Sequence, residues 1–178
     1  MSAYLLILLA ILSRVVPHPG WFNFTAVGGS LLYFGARRPL RQAIIPVALL
    51  AATDYYLTVF GYNYPFHVSA YLITWAWYAG IILLGRVLLA KHLSVLRVGS
   101  AVLIAPTSFF LMTNFAAWVG SPLYPQTLAG LGMSYVAGLP FYRNDLISTA
   151  LVTGLAFGLP ALGRQFSAAN LGAPASRG

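Results

Sequence analysis

Residues 68–90 read VSAYLITWAWYAGIILLGRVLLA, a run of apolar and aromatic residues broken by a single charge, Arg86. An α-helix needs about 20 such residues to cross the hydrocarbon core of a bilayer. Residues 41–60 and 98–119 qualify in the same way. Three runs of this length place the chain in a membrane.

Composition agrees. Of 178 residues, 60% are hydrophobic and 7% charged, and the mean hydropathy is +0.81. A soluble domain carries roughly a quarter of its residues as charges, which cover its surface, and this chain has too few. The net charge of +8 comes from ten basic and two acidic residues. The basic residues lie in short loops between apolar runs, the pattern of a cytoplasmic-side bias and not of a nucleic-acid surface. The absence of cysteine excludes disulfides, thiolate metal sites and cysteine nucleophiles. The start, Met1 to Val16, has no basic residue before its apolar run and no small-residue cleavage pattern after it. It is expected to be a retained span and not a signal peptide.

Breakers divide the remainder. Pro17-His18-Pro19-Gly20 ends a first segment from Ser2 to Val16, and Arg37-Arg38-Pro39 ends a second from Asn23 to Ala36. Further spans are expected over Arg41–Phe60, His67–Ala90 and Val98–Val119, and from Asn144 to about Leu162. The stretch Pro125–Leu139 is short, holds Gly130, Gly132 and Gly138, and is bracketed by prolines. It is expected to be an interfacial or re-entrant helix before the last span. The fold class expected is therefore an all-α integral membrane bundle of about six transmembrane helices. Residues 1–163 are expected to form a single transmembrane domain, and residues 164–178 a disordered cytoplasmic tail. Residues 1–36 read either as two short spans or as a re-entrant hairpin, with two spans preferred because a hairpin would bury His18 and Trp21 at mid-membrane depth. With six spans, one side holds Arg37, Arg38, Arg41, Arg86, Lys91, Arg97, Arg164 and Arg177, and no acidic residue. The other charges, Arg14, Asp54, Arg143 and Asp145, sum to zero on the opposite side. The positive-inside rule then places both termini in the cytoplasm.

Polar groups inside a membrane are costly and face the bundle interior or a water-filled cavity. Asp54 lies about two-thirds along the third span, at the same depth as Arg14, so an ion pair between the two is expected. One reading of this layer is packing alone, with Asn144 and Asp145 capping the last helix. The other is a pocket for a small solute. Its candidate ligand-binding residues are Asp54, Tyr71, Trp75, Asn114, Trp118 and Arg143, with Tyr71 and Trp75, and Asn114 and Trp118, each one helical turn apart. His18 and His67 have no third partner for a metal site, and no P-loop, nucleophile elbow or paired-histidine helix is present. Neither a catalytic residue, a metal nor a cofactor is expected, and the chain does not read as an enzyme. In the last span Gly154 and Gly158, with Ala150, form a small-residue ridge suited to close helix packing.

Several strings, taken together, carry a resemblance. They are Arg14-Val-Val-Pro-His-Pro through Asn23-Phe-Thr-Ala-Val-Gly, Pro46 with Asp54, Thr113-Asn114-Phe115 with Trp118, Tyr124-Pro125, and Leu139-Pro140-Phe141-Tyr142-Arg143-Asn144. Over about residues 10–160 the chain resembles an uncharacterised family of small bacterial six-helix membrane proteins. That family is similar in layout to the substrate-binding S components of energy-coupling-factor transporters. The likeness implies a multi-pass protein of the bacterial cytoplasmic (inner) membrane that binds a small solute near its outer face for uptake. Its partners would be the lipid bilayer, the solute and a membrane subunit on which it docks, with no nucleic acid. S components dock through an Ala-xxx-Ala ridge on the first helix, where this chain has Ala3, Ile7 and Ile11. The alternative is a structural or accessory subunit of a larger membrane complex, without a ligand.

Overall fold

The computed structural model describes residues 1–16, 20–120 and 122–171. All regular structure among them is helical, in six helices: α1 (Ser2–Val15), α2 (Val27–Arg37), α3 (Ile44–Tyr56), α4 (Val68–Leu89), α5 (Val95–Gly120) and α6 (Leu128–Leu171). A 3-10 turn, Leu40–Gln42, leads into α3, and a π turn, Leu57–Gly61, ends it.

Three helical stretches are long and apolar enough to cross a membrane: Leu40–Gly61, Val68–Leu89 and Val95–Gly120. The exposed surface fits such a setting. Helix α1 leaves Leu5, Leu8, Leu9 and Leu12 exposed, and α6 leaves Leu151, Leu155 and Leu159 exposed. Continuous apolar surface of this kind belongs against lipid or a partner.

Six full spans do not follow from this architecture. At a rise of 1.5 Å per residue, the 14 residues of α1 and the 11 of α2 fall short of a hydrocarbon core of about 30 Å. They form an antiparallel helical hairpin. Ser2 Oγ lies 3.2 Å from the Tyr33 hydroxyl, Ser30 Oγ donates to the Leu6 carbonyl at 2.8 Å, and Ser13 Oγ accepts from the Ala26 amide at 2.9 Å. Every residue of α2 from Val27 to Ala36 is buried. Helix α2 is therefore the axis of the bundle, enclosed by α1, α4 and α6. His18 lies outside the described residues.

Glycine makes this enclosure close. A Cβ on Gly35 would overlap the Ile82 carbonyl of α4, and one on Gly85 would overlap the Leu32 carbonyl of α2. The two positions face each other's backbone across a parallel crossing, both helices running from the Arg14 end toward the basic end. Without a hydrophobic drive between helices in lipid, such contact supplies the van der Waals attraction that holds them. On the other side, Gly28 abuts Thr149 of α6 and Gly29 abuts Val152. By contrast, a Cβ on Gly154 or Gly158 would meet nothing within 4 Å, so this part of the ridge makes no close helix contact among the described residues.

Helix α6 departs most from expectation. It runs unbroken for 44 residues through Pro140 and Pro160, with no separate interfacial or re-entrant helix before a last span. Proline removes one backbone donor from a helix interior, and packing on α5 holds the helix across that gap. Tyr142 meets Thr107 at 3.0 Å, Ser134 Oγ donates to the Asn114 carbonyl at 2.8 Å, and Gly138 packs on the Asn114 side chain. The helix also continues to Leu171, inside the expected tail, while residues 172–178 lie outside the described ones.

The six helices alternate in direction. Loops bearing Arg37, Arg38 and Arg41, then Lys91 and Arg97, gather at the end where α1 begins. There Arg38 covers the Tyr4 ring at 4.5 Å and Arg97 donates to the Leu88 carbonyl at 3.3 Å. The opposite end holds the α1–α2 loop, the π turn and the polar residues.

Candidate functional site

Asp54 is the centre of that polar layer. Its side chain is 2% exposed, and Arg14, at the last turn of α1, pairs with it at 2.5 Å. Two residues of α4 complete the shell. Trp75 donates its ring N–H to the second carboxylate oxygen at 2.9 Å, and the Tyr78 hydroxyl lies 3.3 and 3.4 Å from the two oxygens. Arg14 also donates to the Tyr78 hydroxyl at 3.2 Å. The carboxylate thus has a charge partner and neutral donors on both oxygens, which is what holds a charge at such a depth.

The π turn after α3 extends the cluster. Thr58 lies within it and donates to the Asp54 carbonyl at 2.7 Å, while its hydroxyl meets the Tyr71 hydroxyl at 2.5 Å. The wider turn brings Leu57, Thr58 and Tyr62 to one cavity wall, a use of π turns that recurs at functional sites. Tyr71, Trp75 and Tyr78 form one stripe of α4, since residues three or four apart share a helix face. Facing them, the loop before α2 turns inward at Asn23, whose φ of +60° is left-handed, a conformation asparagine tolerates better than most residues. The Asn144 side chain fixes this loop by donating to the Phe22 carbonyl at 3.0 Å.

These walls enclose space. A cavity of about 520 Å³ opens past the exposed residues Val16, Gly20 and Tyr62, and reaches down to Arg14, Asp54 and Tyr71. A second chamber of about 220 Å³ adjoins it, sharing Arg14, Asn23, Thr25, Asp54 and Tyr71. Its further lining includes Thr74, Trp77, Tyr78, Phe109 and Asp145. The outer space lies within the range of small-ligand sites. Asp54 and Asp145 are the only two acidic residues in the chain, and both line the inner chamber.

The other candidates sit elsewhere. Trp75 supports Asp54 and stacks near Tyr71 at 6.2 Å. Asn114 is turned toward α6 and borders a separate void of about 20 Å³, large enough for about one water. Trp118 is half-buried and clasps the α5–α6 turn, donating to the Pro125 carbonyl at 2.9 Å. Arg143 is exposed, because it stands two residues, about 200° of helix, from the inward-facing Asp145. The cap assigned to Asn144 and Asp145 is replaced by mid-helix positions. Asp145 is 6% exposed, and its contact is the Thr149 hydroxyl at 3.3 Å. Thr25, Thr58, Thr74 and Tyr78 are lining residues that sequence reading passed over. The signal for Tyr78 was its place on the Tyr71–Trp75 stripe.

No curated protein and no solved structure matches the sequence. One family model does match, over residues 1–170, under the description "Family of unknown function (DUF6580)". With nearly its whole length covered, the chain belongs to that uncharacterised family.

Proposed function

We propose that this is a membrane protein that binds a small solute in the cavity beside Arg14 and Asp54, as a receptor for uptake. One observation carries the reading. A chain with only two acidic residues has both in the wall of one chamber, alongside a half-buried arginine. A bundle that used polar residues for packing alone would fill such a layer with its own side chains. The α1–α2 hairpin and α6 would complete a bundle of six alternating helices around α2. The basic end would face the cytoplasm by the positive-inside rule, so the cavity would open to the outside of the inner membrane. The resemblance in layout to S components supports uptake as the role.

The accessory-subunit reading draws on α6, where Ala150 and Gly154 are exposed and a Cβ on Gly154 would meet nothing within 4 Å among the described residues. The two readings separate on the cavity. Protein purified from its membrane should release a stoichiometric small molecule on denaturation, detectable by mass spectrometry, and Thr74→Trp, which fills the inner chamber, should release none. Equal recovery from both proteins, or none from either, would favour the accessory reading.

A further inference from the structure

The inner chamber is unbalanced in charge. Arg14 and Asp54 cancel each other at 2.5 Å, and Asp145 has no cationic partner within 4 Å among the described residues. Its hydrogen-bond contact is the neutral Thr149 hydroxyl. The amino end of α2 opens on the same chamber through Thr25 and Val27 and supplies about half an elementary charge, short of neutrality. A carboxylate buried to this degree is stable only when a proton or a bound positive charge neutralises it.

The remaining wall is aromatic. Tyr71, Trp77, Tyr78 and Phe109 line the chamber, with the Trp77 and Phe109 rings 4.7 Å apart. Aromatic faces attract cations that have shed their water, and quaternary or alkylated ammonium groups most readily, because these shed it at low cost. An anion would meet two carboxylates and an arginine already occupied. With a neutral solute, a proton alone would have to neutralise Asp145.

Resting on the solute-binding reading above, we propose that the ligand is a small organic ammonium cation, held by Asp145 and the aromatic wall of the inner chamber. Tyr71 and the Arg14–Asp54 pair form the passage to it from the outer cavity.

The test compares three probes of one shape on the full chain in detergent: choline, its uncharged isostere with tert-butyl in place of trimethylammonium, and the tert-butylacetate anion. Binding is read from the fluorescence of Trp75 and Trp77 and by equilibrium dialysis. Choline should bind at least about 10-fold more tightly than the neutral isostere, and the anion should not compete. Asp145→Asn should shrink the choline preference to within about threefold. Should that variant fail to fold, Phe109→Leu thins the aromatic wall and should weaken choline while leaving the isostere unchanged. Equal binding of choline and isostere, or tighter binding of the anion, overturns the cation assignment and leaves the solute-binding reading standing. Binding of none of the three also overturns it, and the copurification experiment then decides whether the solute-binding reading falls with it.

Discussion

Replacing Asp54 with asparagine removes the charge that Arg14 faces while keeping the shape of the side chain. Two effects set the cost. The charge-assisted bond from Arg14, at 2.5 Å, contributes about 1.5–3 kcal/mol. The amide NH₂ then faces either Arg14 or the Trp75 ring N–H, and leaves one donor unsatisfied at about 1–3 kcal/mol. Together these fall near the 3–5 kcal/mol typical of breaking a buried pair. Arg14→Gln should cost less, because Asp54 keeps the Trp75 and Tyr78 donors. The double variant removes both charges and should be more stable than the sum of the singles suggests, with a coupling of about 2 kcal/mol. Reversible unfolding in mixed dodecyl maltoside and dodecyl sulfate micelles measures all four proteins. Additive effects, with coupling under about 0.5 kcal/mol, would refute the pairing as a source of stability.

Gly85→Ala puts a Cβ into the Leu32 carbonyl and should lower stability by about 1–3 kcal/mol or prevent folding. Gly80→Ala, with nothing within 4 Å, should be neutral or stabilising by up to about 1 kcal/mol, and thermal melting in detergent separates the two. Thr58→Val strands the Tyr71 hydroxyl and frees the Asp54 carbonyl, for a loss of about 1–2 kcal/mol. Thr58→Ser should restore that loss in the same melt.

The sequence announced the membrane helices wherever a run exceeded the bilayer thickness and ended at a clear breaker, as at Gly61 to Pro65 and at Gly120. It also showed that Arg14 and Asp54 share a depth, because both lie at countable positions in apolar runs. Helix α2 was less legible. Its 11 residues look like a poor span, and nothing in hydropathy distinguishes a short span from a short helix buried inside a bundle. The usable signal was Gly28, Gly29 and Gly35, residues that allow close approach but do not name the partner. Pro140 misled more seriously. Read as a stop, it made Asn144 and Asp145 the start of a helix and gave them a capping role. Helix α6 instead passes through Pro140 because α5 packs along it, so Asp145 is turned inward to the chamber. The aromatic candidates divided for a related reason. One-turn spacing placed Tyr71 and Trp75, or Asn114 and Trp118, on a common face, but the choice of face depends on neighbours that no single helix encodes.

Solute uptake requires that the polar layer enclose a cavity open to the outside of the membrane. The chain has no cysteine, so Thr74→Cys introduces a single thiol into the inner chamber, and Lys91→Cys introduces one at the basic end. A membrane-impermeant thiol reagent added to intact cells should label Thr74→Cys from outside and Lys91→Cys only after permeabilisation. A Thr74→Cys protein that stays unlabelled on both sides would mean a filled, inaccessible layer, and labelling only from the cytoplasmic side would mean a cavity facing the wrong way.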